Sequence, residues 1–260
     1  MRSPDGTTRL ALLEQRTPFR VLFPRVPAGE LTEAVLINTG GGVVGGDRLV
    51  VEIVAGPEAR LRATSQAAEK VYRSAGPLST LEVRLEVGRD AWLEWLPQET
   101  ILFDRCRFRR QILLELAPSA RALAGEITVC GRAAHGERLG FGSIRDRWQV
   151  RRDGRLLWAD ALRLEGELRA CLEAPFGLAG ARALATLIYV AEDARSWLEP
   201  ARALIGAAGV SAGVTCLPGV LIGRWLSPDA AALRRAYAAF AAGFRALVAG
   251  LPERPPTVWS

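Results

Sequence analysis

The side chains able to do chemistry are few, and most of them are carboxylates. The chain has a single histidine, His135, so a Ser-His-Asp relay would have to run through it, and no G-x-S-x-G elbow accompanies it. Cys106, Cys130, Cys171 and Cys216 are scattered without a C-x-x-C pair. That pattern suits reduced thiols better than a disulfide framework or a zinc site. Cys130 is near His135 in sequence, but no nucleophile signature joins the two. What remains is a set of acids at turns and strand ends: Asp47, Glu69, Glu99, Asp104, Glu126, Glu137 and Asp160. Any two standing about 5–9 Å apart in a cleft could be the acid and nucleophile of a glycoside hydrolase. Taken singly, each reads as a solvated turn residue or a partner for one of the many arginines. Taken together, oxygen ligands hold a borderline cation more loosely than imidazole or thiolate. An acid-lined path therefore suits passing a metal along rather than storing it.

The densest local signal is Asn38-Thr39-Gly40-Gly41-Gly42-Val43-Val44-Gly45-Gly46-Asp47. Gly40, Gly42 and Gly45 match G-x-G-x-x-G, which marks a dinucleotide site only between a strand and a helix. Ala34 to Ile37 enters as a strand, but Arg48 to Val54 leaves as another. A nucleotide-binding module would require a helix after Gly46, so a glycine-lined turn between two strands is the expectation.

The elements that must carry these acids divide the 260 residues into a strand-rich β body over 1–174 and an α+β part over 175–260, packed as one continuous domain. Strand patterns recur at Leu81–Val87, Ala91–Leu96, Gln111–Leu116, Glu126–Cys130, Trp148–Arg151 and Arg155–Trp158. Gly88-Arg89-Asp90 reads as a hairpin turn and Asp153-Gly154 as a strong one. Many strands without alternating helices predict a mainly β fold, layered or solenoidal, although no fixed repeat period is visible. After Pro175 the order is strand, helix, strand, strand, helix. Ala183–Val190 is the first strand, and Ala194–Ala208 a helix that Pro200 must interrupt or kink. Gly213–Cys216 and Val220–Trp225 are strands. The last helix spans Pro228 to about Val248, with Ser227 as N-cap, Gly250 as its stop and an apolar stripe of Leu233, Tyr237, Phe240, Phe244 and Leu247.

Net charge is +6, but the arginines are interleaved with acids, as in Arg145-Asp146-Arg147. Arg105-Cys106-Arg107-Phe108-Arg109-Arg110 is the one basic cluster, and no groove-reading element accompanies it, so nucleic acid is not an expected partner. No apolar run is of bilayer length, and Met1 to Gly6 lacks the apolar core of a signal peptide. A cytoplasmic protein without a membrane partner is expected.

Several segments together resemble the urease accessory protein UreD (UreH) family. Gly41-Gly42-Val43-Val44-Gly45-Gly46-Asp47 is similar to its G-G-x-V-G-G-D, and Lys70-Val71-Tyr72-Arg73-Ser74 to its K-x-Y-R-S. Glu94-Trp95-Leu96-Pro97-Gln98-Glu99 resembles E-W-L-P-Q-[DE]. Gly131-Arg132 with Gly136-Glu137 resembles G-R-x-x-x-G-E, and the last residues are similar to a proline-rich ending near a tryptophan. The resemblance implies a non-enzymatic maturation factor with a β-helical body and two C-terminal helices. It implies a helical UreF-type partner, a UreG-type GTPase and apo-urease as partners, with a homodimer in the accessory complex. It implies no tightly bound cofactor, only nickel in transit to a buried carbamylated-lysine site. Carried over by motif, Asp47, Glu99 and Glu137 would contact hydrated nickel in passage, with Glu126 and Asp160 at weaker matches. The alternative is a carboxylate-dependent glycoside hydrolase on a β-solenoid.

Overall fold

Apolar residues recur at every second position through most of the chain, and there the backbone coils. The computed structural model describes residues 8–132, 135–206 and 208–259. After β1 (Phe19–Leu22), β2 (Thr32–Asn38) leads into β3 (Arg48–Ala55). The next coil is β4 (Arg60–Ser65), β5 (Glu69–Val71) and β6 (Ser79–Val87); the third is β7 (Trp92–Trp95), β8 (Thr100–Leu102) and β9 (Arg107–Leu116). The last is β10 (Arg121–Cys130) and β11 (Phe141–Arg152). Each coil pairs in parallel with the one before it, giving two facing sheets. The first sheet contains β2, β4, β7 and β10; the second contains β3, β6, β9 and β11. Strand starts at Thr32, Arg60, Trp92 and Arg121 are unequally spaced because the connecting arcs differ in length, which is why no period is legible.

The second sheet ends in a long hairpin, where β12 (Arg155–Glu167) folds back antiparallel on β11. Asp153 and Gly154 both have positive φ, 50° and 70°, the geometry whose twist matches paired strands. Gly88-Arg89-Asp90 is different from expectation: it closes no hairpin. β6 lies between β3 and β9 in the second sheet while β7 lies in the first, so this turn carries the chain across the layers.

A short α1 (Arg169–Glu173) precedes β13 (Ala183–Val190), which pairs antiparallel with β10 and so continues the first sheet. A 3-10 segment, Glu192–Trp197, then passes into α2 (Leu198–Leu204). Pro200 sits in the first turn of α2, where a missing N–H costs no intrahelical bond, so the α-helix begins there rather than kinking. β14 (Ser211–Leu217) and β15 (Val220–Ser227) complete the sheet. α3 (Ala230–Ala249) closes the fold. Its N-cap is Asp229, not Ser227, because β15 holds Ser227 extended, paired with Ala183. Asp229 Oδ1 accepts from the N–H of Ala231 (2.8 Å) and of Ala232 (3.2 Å). Gly250 ends the helix at φ 60°, as expected. Leu233, Tyr237, Phe240 and Phe244 are buried against the first sheet; Leu247 is exposed and Val248 takes the next inward position.

Candidate functional site

The sequence segments that resemble one family fall largely on one edge of the solenoid, where the arcs between the sheets stack. Val43 N–H donates to Lys70 O (2.7 Å) and Tyr72 N–H to Val43 O (2.9 Å). Phe103 N–H donates to Val71 O (3.0 Å), and Gly131 N–H to Leu102 O (2.8 Å). The glycine run is thus the first rung, Lys70 to Ser74 the second, Phe103 the third and Gly131 the fourth. A Cβ on Gly42 would lie 2.5 Å from the Tyr72 ring, and one on Gly45 2.5 Å from Ser74 Oγ. These glycines therefore exist for close approach between rungs, and β3, not a helix, follows them. Gly41 and Gly46 supply positive φ, and the Tyr72 hydroxyl donates to Gly41 O (3.1 Å). Arg73 bridges to Cys106. Arg132 stacks over Phe103, 4.2 Å from its centroid, and Tyr72 meets the same ring edge-on at 5.0 Å.

Two of the five candidate acids belong to this stack. Asp47 Oδ2 accepts from Val44 N–H (2.9 Å) and closes the first arc. Glu137 accepts from the Arg132 guanidinium at 2.9 Å on both oxygens, and this bond holds its carboxyl below the usual range. Ala133 and Ala134 of the same arc lie outside the described residues. Glu99 points elsewhere: it lies 3.8 Å from Arg234 on α3, and its Oε2 is buried without a hydrogen bond. The neighbouring motif residues face inward or toward the chain end. Trp95 and Pro97 line an interior cavity, and Gln98 Nε2 donates to Val258 O (2.8 Å).

Glu126, buried, and Asp160, half-exposed, line one cavity. A cavity of about 270 Å³ lies between the sheets, reached beside Gly41, Gly42 and Gln66 to Lys70. A second, of about 240 Å³, is walled by Asp146, Trp148, Asp160 and Arg224. Glu126 lines both. Its Oε1 accepts from Trp148 Nε1 (2.7 Å), and its other oxygen ion-pairs with Arg110. Arg110 is 4% exposed and reaches across from the second sheet. Its Nε donates to both oxygens of Asp146 (3.1 Å), and its terminal nitrogens donate to the hydroxyls of Thr100 (2.9 Å) and Thr128 (3.2 Å). Asp160 Oδ2 accepts from Arg224 (2.7 Å). In the first cavity Glu69 accepts from Asn38 Nδ2 at 3.0 and 3.1 Å; burial raises its pKa, the Asn38 bond opposes this and Asp47 adds to it.

Arg110 and Asp146 were hidden in segments that read as solvated charge. The signal that finds them is register. Arg110 shares its strand face with buried Phe108, Ile112 and Leu114, and Asp146 with Ile144, Trp148 and Val150. Burial works against the charge on Arg110, but Asp146 and Glu126 more than offset it and raise its pKa. Burial pushes Glu126 up to about 7; Arg110 and Trp148 oppose the shift, while Asp146 and Asp160 add to it. Because the folded protein binds this proton more tightly than the unfolded chain does, Glu126 lowers stability as pH rises from about 4.5 to about 7. Glu126→Gln is expected to remove that decline, gaining up to about 3 kcal/mol on wild type between pH 5 and pH 8 in urea titrations. Parallel pH profiles for the two proteins would contradict it.

Burial pushes Cys106 and Cys130 up to about 12, so both are thiols near neutrality. His135 is exposed on the fourth arc. Among the described residues, no three His, Cys, Asp or Glu side chains are grouped to hold one ion. No described helix is long and apolar enough to cross a membrane.

The family model described as UreD urease accessory protein matches residues 1–260. Urease accessory protein UreD of Magnetococcus marinus is 46% identical over 261 residues, covering 98% of this chain and 89% of that one. The UreD of Xanthobacter autotrophicus is 48% identical over 240 residues, covering 92% and 82%. UreD 2 of Methylorubrum populi is 46% identical over 258 residues, covering 98% and 84%.

Proposed function

Since the chain belongs to the UreD urease accessory protein family, with a role in urease maturation, we propose that it acts there as a non-catalytic scaffold and nickel conduit. It would bind apo-urease together with a UreF-type helical protein and a UreG-type GTPase, as a homodimer within the accessory complex in the cytoplasm. Nickel is its cargo. The observation that carries the conduit is the pair of interior cavities that share Glu126. Each has room for several waters. The first also carries a buried indole N–H without a hydrogen-bond partner, that of Trp95. Such groups are satisfied by water, so an ion could travel with part of its hydration shell. Glu69 marks one cavity, Asp146 and Asp160 the other, and oxygen donors release a first-row cation more readily than imidazole or thiolate. Asp47, Glu99 and Glu137 do not line these cavities, so their role in passage would lie outside them.

The hydrolase reading gains no support from this arrangement, because Glu126 and Asp146 flank a buried arginine rather than an open cleft. The test is activation of apo-urease by Ni²⁺, bicarbonate, GTP and the other accessory proteins, with and without this chain. Activity that requires the chain is the expected result. Equal activity in its absence, in a mixture proven active with another UreD protein, would overturn the maturation role.

A further inference from the structure

The side chain shared by the two cavities is not left open to a passing ion. Arg110 occupies both carboxylates there, Glu126 of the first sheet and Asp146 of the second. Its other contacts, the hydroxyls of Thr100 and Thr128, are neutral and would not hold a cation as strongly. A divalent ion entering beside the guanidinium would place three positive charges against at most two negative ones in a buried space. That surplus is unfavourable where water is scarce. An ion that displaces the guanidinium meets two oxygen donors already oriented for a cation.

We propose that Arg110 is the gate of this passage: its guanidinium stands in for the ion on Glu126 and Asp146, and a divalent cation crosses from one cavity to the other by taking its place. This rests on the conduit reading above. The exchange also sets specificity. A monovalent cation replaces one positive charge by one and loses the forked hydrogen bonds, so it gains nothing. A divalent cation adds a charge where the two acids exceed the arginine. The gate also keeps the ion moving, since the returning arginine competes for the carboxylates it has just left.

Removing the arginine should turn the passage into a trap. In equilibrium dialysis of the purified chain against micromolar Ni²⁺ in 150 mM NaCl, Arg110→Met is expected to retain about one ion, at least about tenfold more tightly than wild type. Arg110→Met with Glu126→Gln should return to the wild-type level. Arg110→Lys, which keeps the charge, is the safer fold and should bind a few-fold more tightly than wild type, because a point charge cannot bridge both acids as a fork does. A folded Arg110→Met that binds no more Ni²⁺ than wild type overturns the gate. If that variant does not fold, Arg110→Lys binding as wild type overturns it instead. Retention is read on the chain without urease, so the two readings fail separately. Loss of retention while indoles that plug the cavities, Ala67→Trp in the first and Ala161→Trp in the second, still block activation removes only the gate. Retention while plugged cavities activate normally removes the conduit and leaves Arg110 as the counterion of a buried cation site.

Discussion

Arg245→Met is expected to lower the unfolding free energy by about 3–5 kcal/mol, because it strands acids that the fold has buried. Arg245 is 1% exposed on α3. Its Nε donates to Glu94 Oε1 (2.9 Å) and a terminal nitrogen to Glu30 Oε2 (3.0 Å). Arg62, equally buried, donates to Glu94 Oε2 (2.7 Å), Glu33 Oε2 (3.1 Å) and Glu30 Oε2 (3.3 Å). Two arginines thus serve three carboxylates, and deleting one leaves the acids heavily under-compensated. The network also ties down the end of the chain. Arg245 donates to Pro252 O, Arg62 to Pro255 O (3.3 Å), and Glu33 accepts from the Thr257 hydroxyl. Trp259 Nε1 donates to Thr64 (3.1 Å) beside them. Urea unfolding should therefore move to a lower midpoint, and the backbone amides of Thr257 and Trp259 should exchange with solvent sooner. Adding Glu30→Gln should restore part of the loss, since it removes one stranded charge. A midpoint equal to that of wild type would show that the network is not a source of stability.

Ala161→Trp and Ala67→Trp are expected to reduce urease activation by about tenfold or more, equivalent to at least about 1.4 kcal/mol on the transfer step. Both alanines are exposed, and each lines a different cavity, Ala67 the first and Ala161 the second. An indole there would fill the opening without entering the packed core, so stability should change by no more than about 0.5 kcal/mol. Thermal melts would check this beside the reconstituted assay. If both variants melt as wild type and activate urease at its rate, nickel does not travel through these cavities.

Much of the architecture was legible in the sequence for a local reason. Side chains alternate across a strand, so Leu81 to Val87 and Gln111 to Leu116 display their buried face in one dimension. Asp153-Gly154 and Gly250 were legible because their positive φ demands particular residues. Gly88-Arg89-Asp90 misled because a tight turn has the same composition whether it joins paired strands or crosses between layers. Ser227 misled as a cap because a strand partner, Ala183, outranked the local signal.

Which residues face inward and where the chain turns were readable in one dimension, since those follow from backbone sterics and the spacing of apolar side chains. The family was readable as well, through motifs whose order survives in one dimension. Tertiary structure alone decided which acids meet. Glu126 and Asp146 lie on different sheets and share Arg110 from a third strand, while Asp47, Glu99 and Glu137, closer to the recognisable motifs, hold arcs and a helix in place. A charge on an inward face can be buried only beside its counter-charge. Stacking coils of unequal length sets which counter-charge arrives there, and no window of neighbouring residues contains that information.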